Sequence, residues 1–190
     1  MNRITSTVLA VAIAGAAALT LAAPAHAAPT LDSAKQAVSA RIDKRLAALE
    51  QFDSTIGRAG QLTAAHKDTL TKLVADQRGG LTALKTKVQG ETTAAALKAD
   101  ARSMVDDYRV FMLTGPKVRL TAAIDTELAV AGKLGAGADA VKQSLNGQAD
   151  KLLAVKPGPD AEAIKAAVTP VRAAAKQAHT DLKALRKTKK

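Results

Sequence analysis

The chain has 190 residues, a formal net charge of +11 and no cysteine. The lack of cysteine excludes disulfides, thiolate metal sites, a lipid-modified cysteine and cysteine nucleophiles. Aromatic residues make up only 2% of the chain, whereas alanine, leucine and lysine are plentiful, and this balance favours an all-α fold over a sheet.

Residues 1–27 have the parts of a secretory signal peptide. Arg3 supplies a positive charge, residues 8–23 form an uncharged and mostly apolar run, and Ala25 and Ala27 make a small-x-small cleavage site. A retained membrane anchor is the alternative, but the apolar run is shorter than the about 20 residues that a spanning helix needs. We therefore predict cleavage after Ala27 and a secreted or cell-envelope location. The mature chain, which loses Arg3 and no acidic residue, has a charge of +10 and no predicted transmembrane segment.

Residues 30–59 carry apolar residues at the alternating three- and four-residue spacing of an amphipathic helix. At 1.5 Å per residue this helix is about 40 Å long. Arg45 is the one polar residue in its apolar seam. The apolar seam residues are Val38, Ile42, Leu49, Phe52 and Ile56.

A second helix is predicted over residues 62–88. Gly79 and Gly80 lie inside it and either kink one helix or divide it in two; we prefer a single kinked helix. The seam contains an extra four-residue step beside these glycines, which is a stutter in a coiled-coil pattern. The seam residues are His66, Leu70, Leu73, Gln77, Leu81, Leu84 and Val88.

Residues 92–113 are predicted to form a third helix, which holds two of the chain's three aromatic residues. Its seam has the unbroken four-three spacing that is typical of coiled coils. Gly115 and Pro116 should end this helix, because a residue before proline is pushed out of the α conformation, and should set the angle to the next helix. The predicted structural core is centred on Phe52, Met104, Tyr108, Phe111, Gly115 and Pro116, with the two later aromatic residues as a bulky plug.

Three further helices are predicted over residues 117–134, 138–155 and 161–186. Asn146 and Gly147 weaken the second of these, and Pro170 should kink the third because it removes a backbone donor. Short connections favour antiparallel neighbours. The sequence therefore predicts a slender antiparallel helical bundle of about five to six helices over residues 28–182.

The residues that could carry chemistry do not form a recognisable catalytic, cofactor or metal site. His66 and His179 are distant in sequence, and neither has a metal-binding partner four residues away. Asp106 and Asp107 are neighbours on a helix and point about 100° apart, so their carboxylates do not converge. We predict a protein that is not an enzyme and that needs no cofactor.

The last eight residues, 183–190, form a basic C-terminal tail. Cations at the end of a helix complement its dipole, so a solvated structural tail is one interpretation. The other is contact with an anionic polymer or lipid surface, which attracts clustered cations. Specific nucleic-acid binding is not predicted, because export removes the usual target and aromatic platforms for bases are scarce. The candidate anion-binding residues are Lys183, Arg186, Lys187, Lys189 and Lys190.

Short segments give the chain a family resemblance. Tyr108-Arg109-Val110 is followed by Pro116-Lys117-Val118, and residues 80–85 read Gly-Leu-Thr-Ala-Leu-Lys. In these features the chain resembles a family of uncharacterised secreted α-helical proteins of actinobacteria. The likeness covers residues 46–128 and implies an exported helical fold with no assigned activity.

The function predicted from the sequence is a binding or structural role in the cell envelope, in which the basic surface contacts anionic polymers or lipid head groups. A holdase-like envelope chaperone is the alternative, because small basic helical proteins with apolar grooves can hold unfolded clients. An enzyme of unrecognised type is the second alternative.

Overall fold

The computed structural model describes residues 30–188, and within this range all regular structure is helical and no strand is present. The prediction of an all-α fold is confirmed. The α-helices are α1 (Leu31–Arg58), α2 (Ala64–Gly90), α3 (Ala94–Asp106), α4 (Gly115–Leu134), α5 (Asp139–Leu145), α6 (Gln148–Ala154) and α7 (Ala161–Thr188). A π-helical turn, Val110–Thr114, precedes α4, and a short 3-10 helix, Gly135–Ala138, follows it. Of the α-helices in the described range, four are long, with 20 residues or more: α1, α2, α4 and α7. The predicted count of five to six helices is not confirmed.

Side-chain caps start four of these helices. The hydroxyl oxygens of Thr30, Thr63 and Thr93 each accept a hydrogen bond at 3.2 Å from the backbone N–H three residues later. Asp160 does the same for α7, at 2.8 Å from the N–H of Ala163. Each cap satisfies a backbone donor that the first helical turn leaves without a partner.

The apolar seams of the first two helices bury a common core. In α1 the five predicted apolar seam residues are buried. In α2 the buried seam contains Val74 instead of the predicted Leu73, and its steps from Leu70 to Val88 then alternate regularly between four and three. Taking Val74 in place of Leu73 removes the extra four-residue step beside the glycines.

The glycine pair does not divide α2, which is continuous from residue 64 to residue 90. Gly80 makes room for the half-buried ring of Tyr108, since a Cβ atom at Gly80 would lie 2.5 Å from the Tyr108 Oη and 2.8 Å from its Cε1. Tyr108 is therefore packed against the backbone of α2, at the edge of the core.

The break in the chain falls earlier than predicted. The helix α3 ends at Asp106, and Arg109 has a φ of 45°, a left-handed conformation that only a few per cent of non-glycine residues adopt. Gly115, in contrast, is helical with φ −58° and ψ −50°, and Pro116 lies in the first turn of α4. Pro116 has no N–H to donate, and Gly115, whose N–H bonds to the Val110 carbonyl oxygen, has no Cβ to clash with the proline ring.

The placement of Phe111 in the core is wrong: its side chain is 56% exposed. The prediction assumed one α-helix through residue 113, but the left-handed Arg109 and the π-helical turn change the phase. The turn consequently buries Val110, Leu113 and Thr114 in place of Phe111. The other predicted core residues agree better with the structure. Phe52, Met104 and Gly115 are buried, and Tyr108 and Pro116 are half-buried.

The N-terminal half of the molecule consists of α1 to α3 and the C-terminal half of α4 to α7. The C-terminal half is interrupted at Asn146 and Gly147, where a φ of 68° at the glycine separates α5 from α6. Pro170, in contrast, lies inside α7 without ending it. The buried residues form two clusters: the first core, contributed mainly by α1, α2 and α3, and the second core, contributed mainly by α4 to α7. The first helix packs along α2 and the fourth along α7.

Candidate anion-binding surface

A row of basic residues follows one line along α7. Alternating steps of four and three residues keep side chains on one face of a helix. At 1.5 Å per residue this row extends for about 32 Å. Its seven positions, here named the basic stripe, are exposed, and all but Thr169 are basic; they are Lys165, Thr169, Arg172, Lys176, His179, Lys183 and Arg186.

The stripe lies beside the core-facing side of α7 and not opposite to it. Each stripe residue directly follows a buried or half-buried apolar residue, as Arg172 follows Val171 and Lys183 follows Leu182. Successive residues of an α-helix are about 100° apart. The stripe therefore runs along the edge where α7 meets the neighbouring helix α4.

Among the described residues, most lysine and arginine side chains of the stripe have no acidic partner. Within 161–188 α7 carries six lysine and arginine residues but only two acidic ones, Glu162 and Asp181. Lys165 Nζ lies 3.6 Å from Glu162 Oε2. In the part of the chain that the structure describes, no carboxylate oxygen lies within 4.0 Å of the charged groups of Arg172, Lys176, Lys183 or Arg186. These four charges remain available to a ligand.

Surface hollows lie at both ends of the stripe, between α7 and the start or the middle of α4. The first has a volume of about 360 Å³ and brings Phe111, Met112 and Pro116 beside Lys165 and Arg172. The second has a volume of about 370 Å³ and lies between Glu127 and Val130 of α4 and the stripe residues His179, Lys183 and Arg186.

The second hollow contains the one histidine of the stripe. The Nδ1 atom of His179 lies 2.7 Å from Oε1 of Glu127, whose side chain is 14% exposed. This contact ties the stripe to α4 and places a carboxylate at the edge of the row, as Glu162 does beside Lys165.

The first hollow contains an exposed apolar pair. Phe111 and Met112, 56% and 41% exposed, are the exposed large hydrophobic residues within residues 30–188. The Arg45 guanidinium carbon lies 5.4 Å from the centroid of the Phe111 ring, a distance typical of a cation–π contact. Sequence reasoning missed this pair because it assigned Phe111 to the core.

The predicted anion-binding residues belong to a longer surface. Lys183, Arg186 and Lys187 are exposed in the last turns of α7, while Lys189 and Lys190 lie outside the described residues. The stripe extends from Lys183 back to Lys165. The sequence contains the signal for this, since basic residues recur one position after the apolar seam residues of α7.

His66 forms a clamp between the two halves of the molecule. Its Nδ1 lies 2.8 Å from Asp125 Oδ2 of α4, and its Nε2 lies 3.3 Å from Asp150 Oδ1 of α6. Burial lowers the pKa of His66, but the hydrogen bonds and charges of the two aspartates outweigh this effect and raise it overall. Asp125 also accepts a hydrogen bond at 2.9 Å from the N–H of Thr63. These contacts explain the cluster as a link between helices.

Lys117 is a buried cation with a structural role. Its Nζ donates hydrogen bonds to the backbone oxygens of Leu153 at 2.8 Å and Val155 at 2.6 Å, at the C-terminal end of α6. Burial, together with the charge of Lys156, lowers the pKa of Lys117 from 10.5 to about 8. The ammonium group satisfies carbonyl oxygens that the end of a helix leaves without partners.

The adjacent acids have separate partners. Asp106 pairs with Arg109 at 3.0 Å, and the Ser103 hydroxyl donates to Asp107. Over the described range, no group of three or more histidine, aspartate or glutamate side chains could hold a metal ion.

Comparisons of the chain with protein-family models, with curated proteins and with solved structures found no match. None of the helices between residues 30 and 188 combines the length and the apolar composition needed to cross a membrane.

Proposed function

We propose that the protein is exported and acts without catalysing a reaction, by binding anionic polymers or lipid head groups of the cell envelope through the basic stripe. The observation that supports this is the row itself: exposed cations in helical register over about 32 Å on one helix. A row of this length matches a surface or a linear chain of repeated negative charges better than a single small anion.

The chemistry of the stripe suits phosphate-rich ligands. Each lysine or arginine that reaches an anionic surface contributes about 1 kcal/mol at physiological ionic strength. The four stripe cations without carboxylate partners keep this contribution for the ligand. Binding of this kind weakens as salt increases, because salt shortens the Debye length, the distance beyond which charges are screened from one another.

The cellular setting of this proposal depends on residues outside the described range. We propose that residues 1–27 direct export and are removed after Ala27, and that the chain is a member of the secreted actinobacterial family that it resembles. We also propose an antiparallel bundle over residues 28–182, which the packing of α1 along α2 and of α4 along α7 supports.

Binding measurements on the mature chain test the proposal. The ligands are polyphosphate and vesicles that contain phosphatidylglycerol. The stripe variant combines Arg172→Gln, Lys176→Gln and Lys183→Gln, and it should weaken binding about 100-fold, since three cations contribute about 1 kcal/mol each.

The matched control removes the same number of charges from α2 and α3, through Lys67→Gln, Arg78→Gln and Lys98→Gln. We expect it to change binding only slightly. Equal losses in the two variants would show that net charge alone attracts the ligand and would contradict a role for the stripe.

A holdase function is the second candidate, and one feature favours it. A hollow of about 310 Å³ between α1 and α3 has walls formed largely by apolar residues such as Leu31, Val38 and Leu97. A chaperone of this kind should suppress the aggregation of a heat-denatured client at near-stoichiometric ratios. Unchanged client aggregation would exclude it.

A further inference from the structure

We infer that Phe111 and Met112 insert into an anionic lipid surface while the basic stripe lies along the head groups. This inference rests on the proposed function and selects lipid as the anionic partner. It starts from the two side chains that the fold leaves exposed although they are large and apolar.

The turn that exposes this pair is held rigidly. Arg109 donates hydrogen bonds to the carbonyl oxygens of Gly158 at 2.7 Å and Pro159 at 2.6 Å, which fix its left-handed backbone. Behind the turn, Gln77 Nε2 donates to the Tyr108 carbonyl oxygen at 2.8 Å, and the Thr114 hydroxyl donates to Gln77 Oε1 at 2.8 Å. A residue in the left-handed region is retained only where its surroundings compensate for the strain.

Pre-organisation is the consequence of these contacts. Phe111 and Met112 are displayed before any ligand arrives, so binding does not have to order the turn that carries them. The exposure follows from a backbone conformation that the hydrogen bonds of Arg109 and Gln77 hold in place.

Positive charges flank Phe111 and Met112 on both sides and favour an anionic partner. Arg45 of α1 contacts one side of Phe111, and Lys165 and Arg172 of α7 share a hollow with Phe111 and Met112. Glu162 offsets part of the charge of Lys165, at 3.6 Å, whereas Arg172 has no carboxylate within 4.0 Å in the described range. The patch thus consists of an apolar centre with cations around it.

An anionic membrane surface complements both parts of this patch. The phosphates of its head groups can contact the lysine and arginine side chains around the patch. Its acyl chains lie just beneath the phosphates, at the depth where apolar side chains are buried. A soluble polymer of phosphates offers nothing to the apolar pair. A second copy of the chain is also a poorer partner, because a two-fold interface centred on this patch would bring its cations against their own copies.

The experiment uses the absence of tryptophan from the chain. Phe111→Trp introduces a single reporter, and Ala95→Trp, in the first turn of α3 at the far end of that helix from Arg109, is the exposed control. Vesicles of phosphatidylcholine and phosphatidylglycerol in equal parts should shift the emission of the Phe111→Trp protein to shorter wavelength. Brominated acyl chains should quench it, while the control should respond to neither.

A second measurement separates insertion from attraction by charge. The double variant Phe111→Ser and Met112→Ser should bind these vesicles about tenfold more weakly or worse, because it removes the buried apolar groups. Its binding to polyphosphate should not change. Circular dichroism and sedimentation velocity establish that both variants keep the helical fold and the oligomeric state of the parent.

Each contrary result has a distinct meaning. If the double variant binds vesicles normally and the introduced tryptophan does not respond, insertion is overturned while charge-based binding by the stripe stands. If the parent binds neither vesicles nor polyphosphate, the proposed function itself fails. A loss of oligomers in the double variant would assign the patch to self-association and would also overturn insertion.

Discussion

The two halves of the molecule use their cations differently. In the N-terminal half, lysines connect helices: Lys85 lies 2.6 Å from Asp43, Lys87 lies 2.5 Å from Asp100, and Lys35 donates to the Gln89 carbonyl oxygen at 3.0 Å. In α7, most cations of the basic stripe have no such partner among the described residues. The lysines of α1 and α2 thus serve internal contacts, whereas the cations of the stripe remain available to a ligand.

The two cores also differ in the size of their buried side chains. The first core contains Phe52 and Met104 with several leucines and isoleucines, whereas the second core includes the buried alanines Ala131, Ala138 and Ala178. Alanine at a contact lets helices approach closely but buries little area per residue. Every buried residue of the first core is larger than alanine, whereas five buried positions of the second core hold alanine.

Truncation of a large residue in the first core should have the largest effect. Met104 is fully buried, and Met104→Ala should lower the free energy of unfolding by about 3 kcal/mol, as large-to-small core substitutions do. In the second core, Ala178→Gly should cost only about 1 kcal/mol, mainly through helix propensity. Urea denaturation measures both. Equal effects would contradict the difference between the cores.

The contact of Tyr108 with α2 gives the next largest effect. Gly80→Ala places a Cβ 2.8 Å from the Tyr108 ring and should destabilise the fold by about 2 kcal/mol through overpacking. Gly79→Ala is the matched control, since no described atom outside the local backbone lies within 4 Å of a Cβ there, and it should stabilise by up to about 1 kcal/mol. In a Tyr108→Ala background the penalty at Gly80 should disappear; its persistence would place the strain elsewhere.

Lys117, which caps α6, should make the free energy of unfolding depend on pH through a group in the C-terminal half. Its pKa is about 8 in the fold and 10.5 without the fold, so between these pH values the unfolded chain binds more protons. Stability should therefore rise with pH in this window, by up to about 3 kcal/mol. Lys117→Met should remove this rise in urea titrations at graded pH. If stability rises with pH as steeply in the variant as in the parent, another group causes the rise.

His66 joins the two halves and should give the smallest effect. Because its pKa is raised in the fold, its contribution is fully present below the unfolded pKa near 6.5 and is lost as pH rises through the higher folded value. The effect should stay below about 1 kcal/mol because the ring is partly exposed. His66→Gln should abolish this change in melting temperature between mildly acidic and neutral buffer. Retention of the change in the variant would exclude His66 as its source.

The predictions that rested on local periodicity agree best with the structure. The seam of α1 and the continuity of α7 depend on contacts that repeat every three or four residues, and such repeats are visible in the sequence. The stripe has the same periodicity, but the sequence prediction included only its last members, which belong to the dense basic run at the C-terminus.

The errors arose where distant residues decide the backbone. The left-handed conformation of Arg109 depends on carbonyl oxygens near residue 158 and on Gln77 of α2, and no local pattern predicts those contacts. Once α3 ends early, every later position loses the assumed phase. The exposure of Phe111 follows, and with it the apolar part of the proposed membrane site.

The helix α4 has a consequence for cooperativity. Val118 near its start belongs to the first core, and Ile124, six residues later, belongs to the second. Neither half can therefore lose its packing without uncovering a face of the same helix. The chain should unfold in one transition, and the amide hydrogens of α4 should exchange with solvent only when the whole molecule opens.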